Sequence, residues 1–343
     1  MTPKAVMSRR VVLAGAAGLV VAGCGAPPPV VVEHQSGVTT PPPAAGEFVA
    51  FDVIASDRAG LTRVLVRLGA VEGAEMTVSV GVSLFDERFG LGDRRPRGLV
   101  EMSSFPNDVL DPAWCGGDLS VQVCAESPER AAAVVDEVAA VPGLALRWRM
   151  PGFRLDNHVG AGGKPSATNL FGFTEGAGNP DRPDVWVAAD ELAWAAGGTY
   201  QVVRLIRLAT PLWDADPVPR QEAVFGRTKV GNRPFGRGTE TDEPDYAADP
   251  DGQVTPLDAH IRRANPRTPE SMAHRILRRG YSYRRDGDEG MVFVCYQKDL
   301  ERGFVATQKR LDGEALQKYV LPFGGGYFFT LPGGKLGESL LST

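Results

Sequence analysis

The sequence predicts an α+β fold, because segments with strand and helix periodicity follow one another in the same order twice along the chain. The first half has the order strand, helix, strand, strand, helix, strand. Alternating apolar and polar residues mark its strands, and Ser56 and Ser127 stand where the N-caps of its two helices are expected. This order is the signature of a ferredoxin-like half, an antiparallel sheet with helices on one face. The six segments are 48–54, 56–68, 76–83, 119–124, 127–141 and 144–150.

The second half repeats this order with one long interruption. A polar insertion at 226–258 separates its first helix from its second strand, and connections of that length are commonly functional. We therefore expect two ferredoxin-like halves, 47–165 and 166–338, which meet within a Gly-rich segment at 152–183. The six segments of the second half are 199–208, 214–225, 278–284, 291–296, 300–311 and 327–331.

Composition narrows the class of protein. The 343 residues are 43% hydrophobic and 23% charged, which is ordinary for a globular protein with a sizeable core. A net charge of −5 and the lack of a long basic run argue against nucleic-acid binding. After residue 22 no apolar stretch approaches the roughly 20 residues that span a bilayer.

Residues 1–24 have the pattern of an export signal. Arg9 and Arg10 precede an apolar run at 11–22 that is too short for a membrane span. Paired arginines at this point are typical of the twin-arginine route, which carries folded proteins across the membrane. The signal therefore predicts a periplasmic or other extracytoplasmic location.

Cys24 closes a segment, 21–24, that is similar to a bacterial lipoprotein cleavage box. Acylation of Cys24 would anchor the protein to the membrane, whereas cleavage near Ala26 would release it as a free soluble protein. We favour the anchor. Residues 25–46 are rich in Pro, Val and Thr and lack a periodic pattern, so we expect them to form a tether.

The remaining cysteines are Cys115, Cys124 and Cys295. Their odd number argues against a disulfide framework. A Cys115–Cys124 bridge is one alternative, and buried free thiols are the state we favour. No cluster of His and Cys has the spacing of a zinc site.

Histidine is scarce, so candidate ligands are few. His158, His260 and His274 follow the tether, and composition alone makes each of them a candidate for a ligand, a catalytic base or a buried imidazole. The sequence lacks a G-x-S-x-G nucleophile motif. The glycine-rich segment 160–165 lacks the G-K-[ST] ending of a phosphate-binding loop.

A carboxylate between glycines distinguishes the segment 169–180. Its centre, Gly-Phe-Thr-Glu-Gly, places Glu175 where the backbone can approach a flat ligand closely. A turn with a solvated Glu175 is the alternative.

This segment resembles the G-x-x-D-G motif of the dye-decolorising peroxidases, a family of haem enzymes. Further stretches in the same order are similar to that family, and the resemblance extends from about residue 47 to residue 335. It is nearest to the exported type that accompanies bacterial iron uptake, which shares the twin-arginine signal. The further stretches are 83–90, 105–108, 115–119, 260–267, 276–283 and 324–329.

The resemblance implies one haem b per chain, in a pocket formed mainly by the C-terminal half. It makes His260 the proximal ligand of the haem iron, whose imidazole supplies electron density to the opposite side. A carboxylate normally tunes such an imidazole through its other nitrogen, and Asp299 is our candidate. Arg278 matches the distal arginine, whose permanent charge stabilises negative charge as peroxide is cleaved.

Other matched positions would line the haem. Arg262 or Arg267 would pair with a haem propionate, and a solvated surface charge is the alternative for either. The sequence departs from the family at Glu175, because Asp is usual there. That acid moves a proton between the two oxygens of peroxide, and Glu is longer by one methylene. The matched lining residues are Gly176, Ala177, Gly178, Asn265, Pro266 and Arg267.

The resemblance therefore implies a haem-dependent peroxidase that reduces hydrogen peroxide and oxidises bulky phenolic or dye-like donors, with release of iron from haem as a secondary activity. It leaves open a homo-oligomer and partners in iron uptake. The alternative function is a non-catalytic exported lipoprotein that binds haem or iron. A substrate-binding protein of a transporter would explain the tether but not the pairing of His260 with Arg278.

Overall fold

The computed structural model describes residues 33–181, 183–188 and 190–342. The predicted export signal, Cys24 and the first part of the predicted tether lie outside the described residues. Among the described residues no helix is both long and apolar enough to cross a bilayer.

The N-terminal half has the predicted order of elements. Ser127 caps its second helix as expected, while Asp57 caps the first, where the sequence suggested Ser56. The four strands lie in the order β4-β1-β3-β2, antiparallel throughout. The elements are β1 (Ala45–Val53), α1 (Arg58–Leu68), β2 (Glu75–Gly81), β3 (Leu119–Ala125), α2 (Pro128–Ala139) and β4 (Leu144–Phe153).

A small sheet and a series of short helices come next. A three-stranded sheet is formed by β5 (Leu155–Val159), β6 (Pro165–Thr168) and β7 (Thr174–Glu175). The first long strand of the C-terminal half, β8 (Thr199–Leu208), is followed by helices at each end of the polar insertion. These helices are α3 (Thr210–Asp214), α4 (Val218–Phe225), α5 (His260–Ala264) and α6 (Pro269–Ala273).

The rest of the C-terminal half completes a second set of strands in the same spatial order. Strand β12 pairs with β8, and β8 pairs with β11, which in turn pairs with β9 and β10. A π-helical turn at Glu301–Val305 precedes α7. The elements are β9 (Leu277–Arg278), β10 (Tyr281–Arg285), β11 (Asp288–Gln297), α7 (Ala306–Leu311), β12 (Val320–Thr330) and α8 (Glu338–Leu341).

The two halves share one closed sheet. Strand β12 of the second half pairs with β2 of the first through three residue pairs, among them Phe329 with Val80. At the other end β10 pairs with β4 through Ser282 and Phe153. Because β10 also pairs with β11, the strands form a ring.

Period-two alternation divides the strand side chains between two cores. Along β1, Phe48 and Ala50 pack inside the ring, whereas Val49 and Phe51 face the helices α1 and α2. In β8, Val203 and Leu205 fill the ring, so the alternate residues face outward, where α5 and α7 cover the sheet. The site described below lies on this outer face.

Residues 33–44, which we expected to belong to a tether, pack against the folded domain. The side chain of Gln35 bonds the backbone of Val78 and Leu331, and the ring of His34 stacks on Trp186 at 3.8 Å. Val38 is buried. Residues 33–44 therefore lie against the domain instead of forming a free tether, and we call this segment the strap.

The three cysteines of the described residues are free thiols. Cys124 and Cys295 are buried, and Cys115 is half-buried. Burial raises the pKa of each of these thiols, which keeps them protonated and unreactive. No group of three or more metal-binding side chains occurs in the described part of the chain.

Candidate active site

A cavity of about 510 Å³ lies on the outer face of the C-terminal half of the sheet. That volume is typical of sites for small molecules and cofactors. Apolar side chains of β8 and β11 form its floor, and residues 38–40 and Pro42 of the strap form part of its wall. The apolar residues that line the cavity include Ile206, Leu208, Met291, Phe293, Phe304 and Leu311.

His260, the first residue of α5, lines this cavity. Its Nδ1 lies 2.7 Å from Oε2 of Glu314, whose side chain is buried. The ring of Phe225 packs edge-on against the imidazole at 5.9 Å. Within the described part of the chain, Nε2 of His260 makes no hydrogen bond, so this nitrogen is available to a ligand in the cavity.

Our expectation that Asp299 would hold the imidazole is wrong. Asp299 accepts a hydrogen bond from the backbone N–H of Arg302 at 2.9 Å and caps the π-helical turn. It lines a second cavity to which His260 does not contribute. Glu314 was missed because it lies in the turn between α7 and β12, where no local pattern indicates its long-range contact.

Glu175 and Arg278 line the same cavity as His260. Glu175 ends the short strand β7, and Asn169 Nδ2 donates to its Oε1 at 3.3 Å. Arg278 lies on β9 opposite Cys295, and the side-chain oxygen of Asn179 accepts from its backbone N–H at 3.1 Å. Burial lowers the pKa of Arg278, and the nearby carboxylate of Glu175 opposes that effect.

Glycines make this arrangement sterically feasible. Gly176 has φ +100°, and a side chain there would overlap the carbonyl oxygen of Pro165. A Cβ at Gly178 would lie 2.8 Å from Nη2 of Arg278. Between them Ala177 lines the cavity, and its carbonyl accepts from Lys164 at 3.2 Å.

The predicted lining residues after His260 divide into two groups. Asn265 and Arg267 line the cavity, whereas Pro266 is not part of its wall. Asn265 Oδ1 accepts from the backbone N–H of Arg267 at 3.1 Å and supports its unusual φ of +63°. Nη1 of Arg267 lies 2.6 Å from Glu243, while its buried Nε has no hydrogen-bond partner among the described residues.

Arg262 is engaged elsewhere. Its guanidinium donates to Asp249 Oδ2 at 3.0 Å and to the carbonyl of Thr255 at 2.8 Å, away from the cavity. A different arginine that the sequence did not indicate, Arg227, lines the cavity. Burial, with repulsion from Arg278 and Arg267, lowers its pKa to about 10. The cavity is therefore apolar at its floor and rich in cations along its wall.

The other histidines do not share the environment of His260. His158 is exposed and contacts the carbonyl of Asp156. His274 lines the cavity, but Glu270 is 3.5 Å from its Nε2, and its buried Nδ1 lacks a partner among the described residues. Of these three, only His260 is paired with a buried carboxylate, the kind of partner that fixes an imidazole for metal binding.

Sequence profiles for two parts of one family match the chain. The profile described as Dyp-type peroxidase, N-terminal, matches residues 35–154, and that described as Dyp-type peroxidase, C-terminal, matches residues 166–335. The chain belongs to the Dyp-type peroxidase family. The predicted resemblance is thereby confirmed.

This Dyp-type peroxidase is similar to bacterial proteins named deferrochelatase. It is 45% identical to that of Shigella boydii serotype 4 (strain Sb227) over 352 aligned residues, which cover 87% of this chain and 83% of the relative. It is also 45% identical to that of Escherichia coli (strain K12) over 341 residues, 85% of this chain and 81% of the relative.

Solved structures of Dyp-type peroxidases share the fold. DtpA from Streptomyces lividans superposes with a TM-score of 0.82 at 31% identity, covering 90% of this chain and 96% of that one. The DyP-type peroxidase from Cellulomonas bogoriensis superposes with a TM-score of 0.81 at 34% identity, covering 93% of this chain and all of that one. The predicted fold class, two ferredoxin-like halves, is confirmed.

Members of this family are haem enzymes, and the residues of the cavity fit haem b. Nε2 of His260 is free to bind iron, the apolar floor suits a porphyrin, and the unpartnered Nε of Arg267 is a donor for a carboxylate. The protein is thus a haem peroxidase that uses hydrogen peroxide to oxidise bulky phenolic or dye-like donors. The alternative of a non-catalytic carrier is not favoured.

Proposed function

We propose that Nε2 of His260 would hold the haem iron, and that Glu175 and Arg278 act together on hydrogen peroxide. The observation that carries this proposal is the shared cavity, in which an imidazole paired with Glu314 accompanies a carboxylate and a half-buried guanidinium. When bound, haem would supply the redox chemistry, namely the electrons that reduce peroxide and that the organic donor replaces.

Glu175 moves a proton in this scheme. One carboxylate oxygen accepts the proton of one peroxide oxygen and delivers it to the other oxygen, which can then leave as water. The two electrons that cleavage of the O–O bond consumes would come from the bound haem. Arg278 stabilises the negative charge that develops during the cleavage, because its guanidinium is desolvated and its Nε donates to Oδ1 of Asn179 at 3.4 Å. Lys164, Arg227 and Arg267 would attract the propionates of haem to one side of the cavity.

The experiment compares single variants loaded with haem. His260→Ala should lose the Soret band of the bound cofactor, whereas His158→Ala should keep it. Glu175→Gln and Arg278→Leu should keep the band but slow its change on mixing with hydrogen peroxide by about 100-fold or more. Normal stopped-flow rates in Glu175→Gln or Arg278→Leu would remove that residue from the mechanism.

Release of iron from haem is a second proposed activity. It is supported by 45% identity to proteins named deferrochelatase over most of the chain. The expected product is iron-free porphyrin, which fluorescence detects. If the purified protein, incubated with haem and a reductant, yields no more porphyrin fluorescence than His260→Ala, this activity is excluded.

Export by the twin-arginine route and a lipid anchor at Cys24 complete the proposal. The support is the pattern of residues 1–24. Replacing Arg9 and Arg10 together by lysine should retain the protein in the cytoplasm, and Cys24→Ala should release it from membranes after export. A homo-oligomer and partners in iron uptake stay predictions from the family resemblance.

A further inference from the structure

A further guanidinium lines the cavity, and it comes from the N-terminal half. Arg154 lies between β4 and β5, and its backbone N–H donates to the carbonyl of Ala44 in the strap at 2.9 Å. Its Nη1 donates to the carbonyl of Gly280 at 2.7 Å, and its Nε donates to Oδ1 of Asn157 at 2.8 Å. The side chain is therefore held at two points in a single orientation.

Gly280 connects Arg154 to Glu175. A Cβ at Gly280 would lie 3.2 Å from Oε2 of Glu175, so the carboxylate rests against the α-carbon of this glycine. The carbonyl of the same residue is the one that Arg154 binds. Glu175 needs this space because it is longer than the Asp that the family usually has at this position.

Arg154 also lacks a carboxylate partner of its own. Within the described ranges no Asp or Glu oxygen lies within 4.0 Å of its guanidinium, unlike Arg204, Arg262 or Arg279. Burial lowers its pKa, and the charge of Glu175 is among the nearby groups that oppose this effect. A half-buried cation without a close counter-ion is costly, so it points to a role beyond packing.

We propose that Arg154 is a positioning residue for Glu175. Through its hydrogen bond to the Gly280 carbonyl and through its charge, Arg154 holds the carboxylate of Glu175 in place in the cavity wall. This inference rests on the proposed function of Glu175. The N-terminal half thereby takes part in the peroxide step, although His260, Glu175 and Arg278 all belong to the C-terminal half.

The test uses the haem-loaded protein and three substitutions of Arg154. Arg154→Met removes charge and hydrogen bonds, and it should slow the reaction with hydrogen peroxide by about 10- to 100-fold, the usual effect of an outer positioning group. Arg154→Lys keeps the charge and should recover most of the rate. Arg149→Met, on β4 and paired with Glu47 outside the cavity, is the matched control and should react normally.

Two further measurements separate positioning from a structural role. Adding Arg154→Met to Glu175→Gln should cause no further loss of rate, because the carboxylate that Arg154 holds is already gone. Cyanide association, followed at the Soret band, should slow in Arg154→Met, because it also needs a proton acceptor in the cavity. Haem affinity, titrated on the apoprotein, should not change.

Several results would overturn the inference. The first is a normal peroxide rate in Arg154→Met. The second is an Arg154→Met substitution that lowers the peroxide rate equally in the wild-type protein and in Glu175→Gln. The third is a loss of haem affinity in Arg154→Met that parallels its loss of peroxide rate. A normal rate for Glu175→Gln would instead refute the proposed function of Glu175, and the inference would fall with it. The two failures are thus distinguished by which variant keeps its activity.

Discussion

Nδ1 of His260 and Oε2 of Glu314 lie 2.7 Å apart, although the two residues are separated by 54 positions in the sequence. A carboxylate in this position orients the imidazole and makes its other nitrogen a stronger electron donor. The buried side chain of Glu314 strengthens the effect, because water does not screen the interaction.

We predict that Glu314→Gln raises the reduction potential of the haem iron and lowers the peroxide rate about 10-fold, because the amide donates less electron density through His260. Spectroelectrochemistry measures the potential. Asp299→Asn is the control, since this carboxylate caps the π-helical turn and does not reach the imidazole. If both variants have the wild-type potential, Glu314 has no electronic role.

Gly178 leaves the space that the guanidinium of Arg278 occupies. We predict that Gly178→Ala displaces the guanidinium of Arg278, because the new Cβ would lie 2.8 Å from Nη2. The peroxide rate should fall about 10-fold or more while haem stays bound. Gly238→Ala, in an exposed part of the insertion with ordinary van der Waals space, should have no effect. Equal rates in the two variants would contradict this prediction.

Arg204 and Asp108 form an ion pair with almost no exposure of either side chain, beside the cavity wall. Asp108→Leu should reduce the free energy of unfolding by about 3–5 kcal/mol, because it leaves a buried guanidinium without its counter-ion. The double variant Asp108→Leu/Arg204→Met should recover much of this loss. Chemical denaturation gives the values, and a double variant less stable than the single one would be inconsistent with this account.

Tyr246 makes the stability of the fold sensitive to alkaline pH. Burial raises the pKa of its phenol to about 12, above the ordinary value near 10. The folded-state pKa is the higher one, so the stabilisation is complete below the unfolded pKa and is lost as pH rises towards the folded pKa. Tyr246→Phe should therefore flatten the decline of melting temperature between about pH 10 and 12. An unchanged decline would rule out Tyr246 as its source.

Local patterns in the sequence predicted most elements of the fold. Each long strand and both N-terminal helices follow from apolar periodicity and capping residues, which act over a few positions. The predicted helix at 214–225 begins only at Val218, where α4 follows Pro217, and the short helix α3 comes before it. The pairing of β10 with β4 depends on contacts between distant segments, which periodicity does not report.

The site was predicted less completely. His260, Glu175 and Arg278 were selected because their surroundings resemble a family, and the fold brings all three to one cavity. Glu314, Arg154 and Arg227 reach the same cavity from turns and from the insertion, where nothing in the local sequence distinguishes them from surface charges. The strap was mistaken for a tether because its contacts, such as those of Gln35, are made with residues far along the chain.

The ring of strands has a consequence for how the protein unfolds. The two edge strands of the N-terminal half, β4 and β2, each pair with a strand of the other half. Neither half can therefore separate without leaving its edge strands unpaired. A half produced separately would expose unpaired strand edges that promote aggregation. We therefore expect both halves to melt in a single cooperative transition. Folding would then be limited by the pairing of segments more than 100 residues apart in the sequence, which is slow. This pairing would have to be complete before the domain could retain its cofactor.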